Sequence, residues 1–255
     1  MNPLPDSSSR KTVWITGAGK GIGRAVAKRM AHDGWTVAAS SRTLADLLEL
    51  QTECPEGRVH VYPLDITNVE NNAAVVAQIE GELDPLQLVI LNAGTHQPTP
   101  VEHFSVPAFR SLVETNLMGT VNGLEPVLKR FMGRNSGHIA VVASLAGYRG
   151  LPSASAYGAT KAALINMCEA LKIELEPFDV RMTLINPGFV ETPLTDKNDF
   201  PMPFLISVDE AAKQVCRGLE SNAFEISFPW RFAWIMKVMR LLPAKFYFAL
   251  SRRMM

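Results

Sequence analysis

Acidic residues stop at Glu225. From there to Met255 the chain carries Arg231, Lys237, Arg240, Lys245, Arg252 and Arg253 and no carboxylate. With 25 basic and 25 acidic residues in all, this tail has a basic excess of six and the rest an equal acidic excess. Zero net formal charge gives no reason to expect a nucleic-acid partner. Cysteine is scarce too: Cys54, Cys168 and Cys216 are far apart, which excludes a disulfide framework and a cysteine metal site, so no metal is expected. Cys168 and Cys216 fall in helical patterns, where a buried free thiol is the simplest reading. No apolar run reaches the roughly 18 residues of a spanning helix. The opening residues 1–10 are polar and expected to be loose, with no secretion-signal core. Reduced thiols suit the cytoplasm, which is the compartment expected.

What the sequence has in quantity is alternation. Short β-branched runs stand at 12–16, 36–40, 59–64, 86–91, 138–144, 181–186 and 224–228. They are apolar on both faces, as strands covered by helices on both sides must be. Helical patterns lie between them, at 22–32, 44–50, 69–79, 108–131 and 156–176. Another starts at Ser207, with Glu210 three residues on as a capping box. The alternation predicts an α/β fold: one Rossmann-type doubly wound domain over 1–255, with a seven-stranded, mainly parallel sheet and right-handed crossovers. There is no internal repeat or linker.

The first strand runs into TGAGKGIG, which contains Gly17, Gly19, Lys20, Gly21, Ile22 and Gly23. Glycine lets the backbone approach a ligand closely, and a helix N-terminus offers free N–H groups to a diphosphate. The spacing of Gly17, Gly21 and Gly23 is a variant of the dinucleotide fingerprint. Such a turn also occurs for steric reasons alone.

Further residues follow in a set order. Asn92-Ala93-Gly94 comes after the fourth strand, Asn116 in the next helix, and Ser144 at the end of the fifth strand. Then come Tyr157-Gly158-Ala159-Thr160-Lys161, Pro187-Gly188 after the sixth strand, and Thr192. In this order and spacing the chain resembles the short-chain dehydrogenase/reductase family from about residue 12 to residue 195. The resemblance implies oxidoreductase activity and a catalytic set of Asn116, Ser144, Tyr157 and Lys161. It also implies a cofactor site built from the glycine loop with Asp65 near the adenine, Ile66, Asn92, Ala93, Gly94, Tyr157, Lys161, Pro187, Gly188, Val190 and Thr192. On its own residues, Asp65 is equally an acid at a helix start.

The end of the second strand selects the cofactor. A carboxylate there would hold a ribose 2′-hydroxyl. This chain has Ser41 and Arg42 instead, and a guanidinium pairs with a 2′-phosphate. Lys20 adds a second cation nearby, so NADP(H) is expected. The alternative for Arg42 is a solvated loop cation.

Tyr157 and Lys161 are four residues apart and share one helix face. A phenol titrates near 10, too high for a base at neutral pH. A lysine cation about 4 Å away would lower that by roughly three units. By resemblance, Tyr157 exchanges a proton with the substrate oxygen, Ser144 hydrogen-bonds that oxygen, and Lys161 tunes Tyr157 and holds the nicotinamide ribose. Asn116, again by resemblance, anchors a water that joins Lys161 to solvent. His96 is a substrate contact or an ordinary loop histidine, and Tyr148 is a pocket wall or a packing residue.

Residues 195–206 include Phe200, Met202, Phe204 and Leu205 and suggest an apolar lid, hence an apolar ketone or aldehyde as substrate. An epimerase or dehydratase, and a cofactor-binding sensor or scaffold with little turnover, are the alternatives. The tail 229–255 has an apolar arc over 230–242, with Lys237 and Arg240 opposite, before Pro243 breaks the helix. It either packs on its own domain or a second subunit, or makes peripheral membrane contact. The long helices at 108–131 and 156–176 resemble the family's subunit interfaces, which implies a homodimer or homotetramer.

Overall fold

A computed structural model describes residues 11–197 and 202–252. The expectation of a loose N-terminus, and Phe200 of the expected lid, lie outside the described residues. The strands are β1 (Thr12–Thr16), β2 (Thr36–Ser40), β3 (Val59–Val61), β4 (Leu88–Leu91), β5 (Gly137–Val142), β6 (Val180–Pro187) and β7 (Glu225–Phe228). All pair in parallel in one sheet of order β3-β2-β1-β4-β5-β6-β7. The helices are α1 (Gly21–His32), α2 (Leu44–Thr52), α3 (Val69–Glu82), α4 (Val106–Val113), α5 (Gly119–Arg134), α6 (Ser155–Glu174), α7 (Val208–Glu220), α8 (Trp230–Leu241) and α9 (Ala244–Ser251).

Because side chains alternate along a strand, each strand feeds two cores. Val13, Ile15, Val37, Ala39, Leu88 and Ile90 point to the side covered by α1, α2 and α7. Trp14, Ala38, Val89, Leu91, Ile139 and Val141 point to the other, covered by α3, α5, α6, α8 and α9. Trp14 is fully buried, and its indole donates to Ser40 Oγ at 2.9 Å. That bond satisfies two polar groups that would otherwise be stranded in the core.

The chain winds outward from β1 in both directions, so the crossovers after β1 and β4 leave on opposite sides. A crevice opens there at the carboxyl ends of the strands, where α/β sheets bind ligands.

Four elements differ from the sequence pattern. The strand expected at 59–64 pairs with β2 only over Val59–Val61. The long helix expected at 108–131 begins earlier, at Val106, behind a Ser105 side chain that accepts from Ala108 N. It is interrupted by a π-helical turn, Glu114–Met118, which the apolar periodicity hides. After Pro243 the chain forms a further helix, α9, anchored by only two buried residues, Tyr247 and Ser251. The capping box at Ser207 is half made: Ser207 Oγ accepts from Glu210 N at 3.2 Å, while the Glu210 carboxylate takes Gln214 instead.

Candidate functional site

The crevice is a cleft of about 650 Å³. One end is the glycine loop. Gly17 has φ +68, and a Cβ on it would lie 2.8 Å from Ala93 Cα. A Cβ on Gly23 would sit 2.3 Å from the Gly17 carbonyl oxygen, so the loop folds only with hydrogen at both positions. Asn92 locks the loop to the end of β4: its Nδ2 donates to the Thr16 carbonyl at 3.0 Å and to that of Gly17 at 3.3 Å. Gly23 therefore lies beneath the cleft, whereas Gly17, Gly19, Lys20, Gly21 and Ile22 line it. No side chain caps α1 at Lys20, which leaves its first N–H groups for a ligand.

The wall beside the glycine loop holds Ser41, Arg42, Asp65 and Ile66. Arg42 is exposed and has no ion-pair partner among the described residues. Lys20, the second cation expected from sequence, lines the cleft with Asp46 of α2 3.5 Å from its Nζ. Asp65 stands at the start of the turn into α3 and lines the cleft. Its Oδ1 accepts from Thr67 N and Thr67 Oγ1, bonds that hold the carboxyl below its ordinary range.

The other end gathers Ser144, Tyr157 and Lys161, with Asn92, Ala93 and Gly94 on one side and Pro187, Gly188, Val190 and Thr192 on the other. Ser144 stands where β5 stops. Its Oγ accepts from Ala146 N at 3.1 Å and donates to the Pro187 carbonyl at 3.4 Å. Tyr157 and Lys161 project from the first two turns of α6. Lys161 is buried, and its Nζ donates to the Val142 carbonyl at 3.0 Å. Burial brings its pKa down to about 8.

Burial pushes the Tyr157 phenol above its ordinary value, and a hydrogen bond with Ser144 opposes this only in part. The Lys161 ammonium, 5.7 Å from the ring centroid, is held by the Val142 carbonyl and does not offset this. With no cofactor charge beside it, the Tyr157 phenol therefore keeps its proton at neutral pH.

Asn116 is buried behind this wall rather than in it. The π turn carries it, as such turns carry many functional side chains. Its Oδ1 accepts from Thr95 N at 2.7 Å, and its Nδ2 donates to the Thr95 carbonyl at 2.9 Å and to Thr160 Oγ1 at 3.3 Å. It thereby ties the turn after Gly94 to the helix that bears Tyr157 and Lys161.

His96 packs edge-on against the Tyr157 ring, with centroids 4.7 Å apart. Tyr148 is not a cleft residue; it is buried, its hydroxyl donates to Glu225, and the Arg240 guanidinium lies 5.8 Å from its ring centroid. Sequence reasoning missed Thr95 and Asp46. Thr95 acts through its backbone and leaves no side-chain signal. Asp46 was legible only as an acid in the first turn of α2.

The segment expected as a lid returns to the cleft at Ile206. Val190 bridges Ile206 in parallel, and Glu191 N donates to the Ile206 carbonyl at 2.9 Å. Phe232 of α8 stacks on Phe189 at 5.4 Å and on Phe204 at 6.1 Å, which joins the cleft rim, the lid and the tail in one aromatic column.

Comparison with known proteins agrees with this geometry. A sequence model described as short chain dehydrogenase matches residues 11–201. An uncharacterized oxidoreductase of Myxococcus xanthus is 36% identical over 248 residues, covering 96% of this chain and 98% of the relative. Among solved structures, ElxO with NADP bound superposes with a TM-score of 0.78 at 23% identity, covering 88% of this chain and 99% of that one. A short chain dehydrogenase/reductase from Burkholderia phymatum in complex with NAD gives a TM-score of 0.83 at 21% identity, covering 91% and 93%.

Proposed function

The chain belongs to the short-chain dehydrogenase family and is an oxidoreductase of that family; from this premise we propose that it reduces apolar ketones or aldehydes with NADP(H). The observation that carries the reading is one cleft with Ser144, Tyr157 and Lys161 on the wall at one end and an unpaired Arg42 at the other. Family members take either nicotinamide dinucleotide, as the NADP-bound and NAD-bound structural neighbours illustrate. In this chain Arg42 and Ser41 would receive a 2′-phosphate, which no carboxylate at the end of β2 opposes.

The residues present fit the cofactor. The uncapped start of α1 and the open backbone of Gly19 and Gly21 would hold the diphosphate, and Asp65 and Ile66 the adenine. Ala93, Gly94, Tyr157 and Lys161 would hold the nicotinamide ribose, and Pro187, Gly188, Val190 and Thr192 the carboxamide end. Bound there, the cofactor supplies the hydride. Tyr157 gives its phenolic proton to the substrate oxygen, a role that suits a phenol pushed upward by burial. Ser144 Oγ donates to the same oxygen and steadies its developing charge. Lys161, protonated below about 8, stabilises the tyrosinate left behind. Asn116 is a positioning residue that fixes Thr95 against Thr160. The aromatic column of Phe189, Phe232 and Phe204 favours an apolar substrate.

The test is NADPH oxidation with a panel of carbonyl compounds of increasing chain length. Turnover that rises with chain length, and a loss of about a thousandfold or more in Tyr157→Phe with cofactor binding retained, is the expected result. Tight NADPH binding without turnover of any carbonyl would instead indicate a sensor.

A further inference from the structure

The two C-terminal helices expose an apolar face where the sheet is no longer in reach. α8 spends Phe232, Ala233, Met236 and Met239 on the core. At about 100° per residue, Trp230, Trp234, Val238 and Leu241 fall together on the other side. Three of them are 71%, 64% and 84% exposed, in the order Trp230, Trp234, Leu241. On α9, Phe246 and Leu250 fall together and are exposed as well, while the exposed Phe248 lies on the opposite side. A surface helix ordinarily turns polar residues outward. Scattered apolar side chains need no explanation, but a contiguous set implies something that covers it.

Charge identifies what covers it. The tail's inward cations are already used: Lys237 pairs with Glu225 at 2.7 Å, and Arg240 lies 3.9 Å from Glu169. Arg231, Lys245 and Arg252 have no carboxylate partner among the described residues. Arg231 lies over the Trp230 ring, 5.3 Å from its centroid, so the cation and the indole form one amphipathic group. Exposed tryptophans with unpaired cations beside them suit the headgroup layer of an anionic bilayer. A second copy of the chain suits the face poorly. A two-fold interface sets the same patch against itself, and beyond Glu225 neither copy has a carboxylate to meet these cations.

We propose that α8 and α9 form a peripheral docking surface for anionic membranes, lying in the headgroup layer with Trp230, Trp234 and Leu241 immersed. The surface lies on the membrane and does not span it, since no described helix is long and apolar enough to cross. Phe232, on the inner side of the docking helix, touches both Phe189 at the cleft rim and Phe204 of the lid. Docking therefore brings the lid to within about one helix diameter, ~10 Å, of lipid.

The test uses the full chain and does not depend on turnover. The protein is sedimented with vesicles of phosphatidylglycerol and phosphatidylcholine in equal parts, and with phosphatidylcholine alone, at low and high salt. Binding at least about tenfold stronger to the anionic vesicles, and released by salt, is expected. Two surface variants separate the contributions: Trp230→Ser with Trp234→Ser and Leu241→Ser, and Arg231→Glu with Lys245→Glu. Each should reduce binding about tenfold or more without lowering the melting temperature, because all five side chains lie outside the core. No binding of the intact chain to anionic vesicles overturns the proposal, as does equal binding by the apolar variant. A change of molar mass in that variant, with no vesicle binding by the intact chain, would assign the face to a second copy.

Discussion

At the scale of single residues, Lys161 carries the largest tension. It is a buried cation whose pKa has been brought down to about 8 from 10.5. Between those two values the unfolded chain holds more protons than the folded one, so stability rises with pH across that window. Below 8 the burial of the charge is a full disadvantage. Lys161→Met should therefore raise the melting temperature at pH 7 by a few degrees while abolishing turnover; differential scanning calorimetry beside the NADPH assay checks both. In the intact enzyme, activity that needs the ammonium should fall as pH rises through about 8. Arg42 gives the second test at this scale. A guanidinium bound to phosphate contributes roughly 1.5–3 kcal/mol, so Arg42→Glu should raise KM for NADPH about 10–100-fold and leave NADH much less affected. A uniform loss with both cofactors would make Arg42 a solvated cation after all. Most residue identities around the cleft were readable because they follow a strand end, and Tyr157 and Lys161 because they share one helix face. The direction of the tyrosine shift was not, because a four-residue spacing cannot say that Nζ reaches the Val142 carbonyl.

At the scale of elements, the strands were legible in number and order because a doubly covered strand must be apolar on both faces, although the run at 59–64 is a strand only over Val59–Val61 and two others overran by two residues at one end. The break in the helix at Glu114–Met118 was illegible, since one extra residue in a turn shifts the apolar phase without removing it. The helix α9 was illegible because two buried residues make no period. The tail's split between core and solvent was likewise hidden: an apolar arc does not reveal how wide a slice of it the sheet can cover. What fastens α8 to the sheet is Glu225. Its Oε1 accepts from Asn186 Nδ2 at 2.7 Å and from the Tyr148 hydroxyl, and its Oε2 takes Lys237. Burial works to raise this carboxyl, but the hydrogen bonds from Lys237, Tyr148 and Asn186 outweigh it and hold it below its ordinary value. The stabilisation is therefore complete above the ordinary carboxylate range and is lost as pH falls through the lowered value. Hydrogen exchange should show α8 opening in that acid window before the rest of the sheet. Glu225→Gln should cost about 1–3 kcal/mol and remove the acid step, because it leaves Lys237 without its anion.

For the molecule as a whole, an apolar groove of about 580 Å³ runs along α5, lined by Val121, Leu124, Leu128, Met132 and Phe178 among others. We propose that it lies in a homodimer or homotetramer interface, as the family resemblance of these helices implies. Light scattering should give at least twice the 28.0 kDa chain mass, and Val121→Glu should return the protein to the monomer. A monomeric wild type would remove this reading and leave the cleft untouched. One feature of the fold also has an optical consequence. Trp14 lies sealed in the sheet, donating to Ser40, while Trp230 and Trp234 stand in solvent on α8. Trp35 is intermediate, half-buried with Lys11 over its ring, so a collisional quencher should act in order: iodide should darken the tail first and Trp35 less, and spare Trp14 until the sheet itself comes undone.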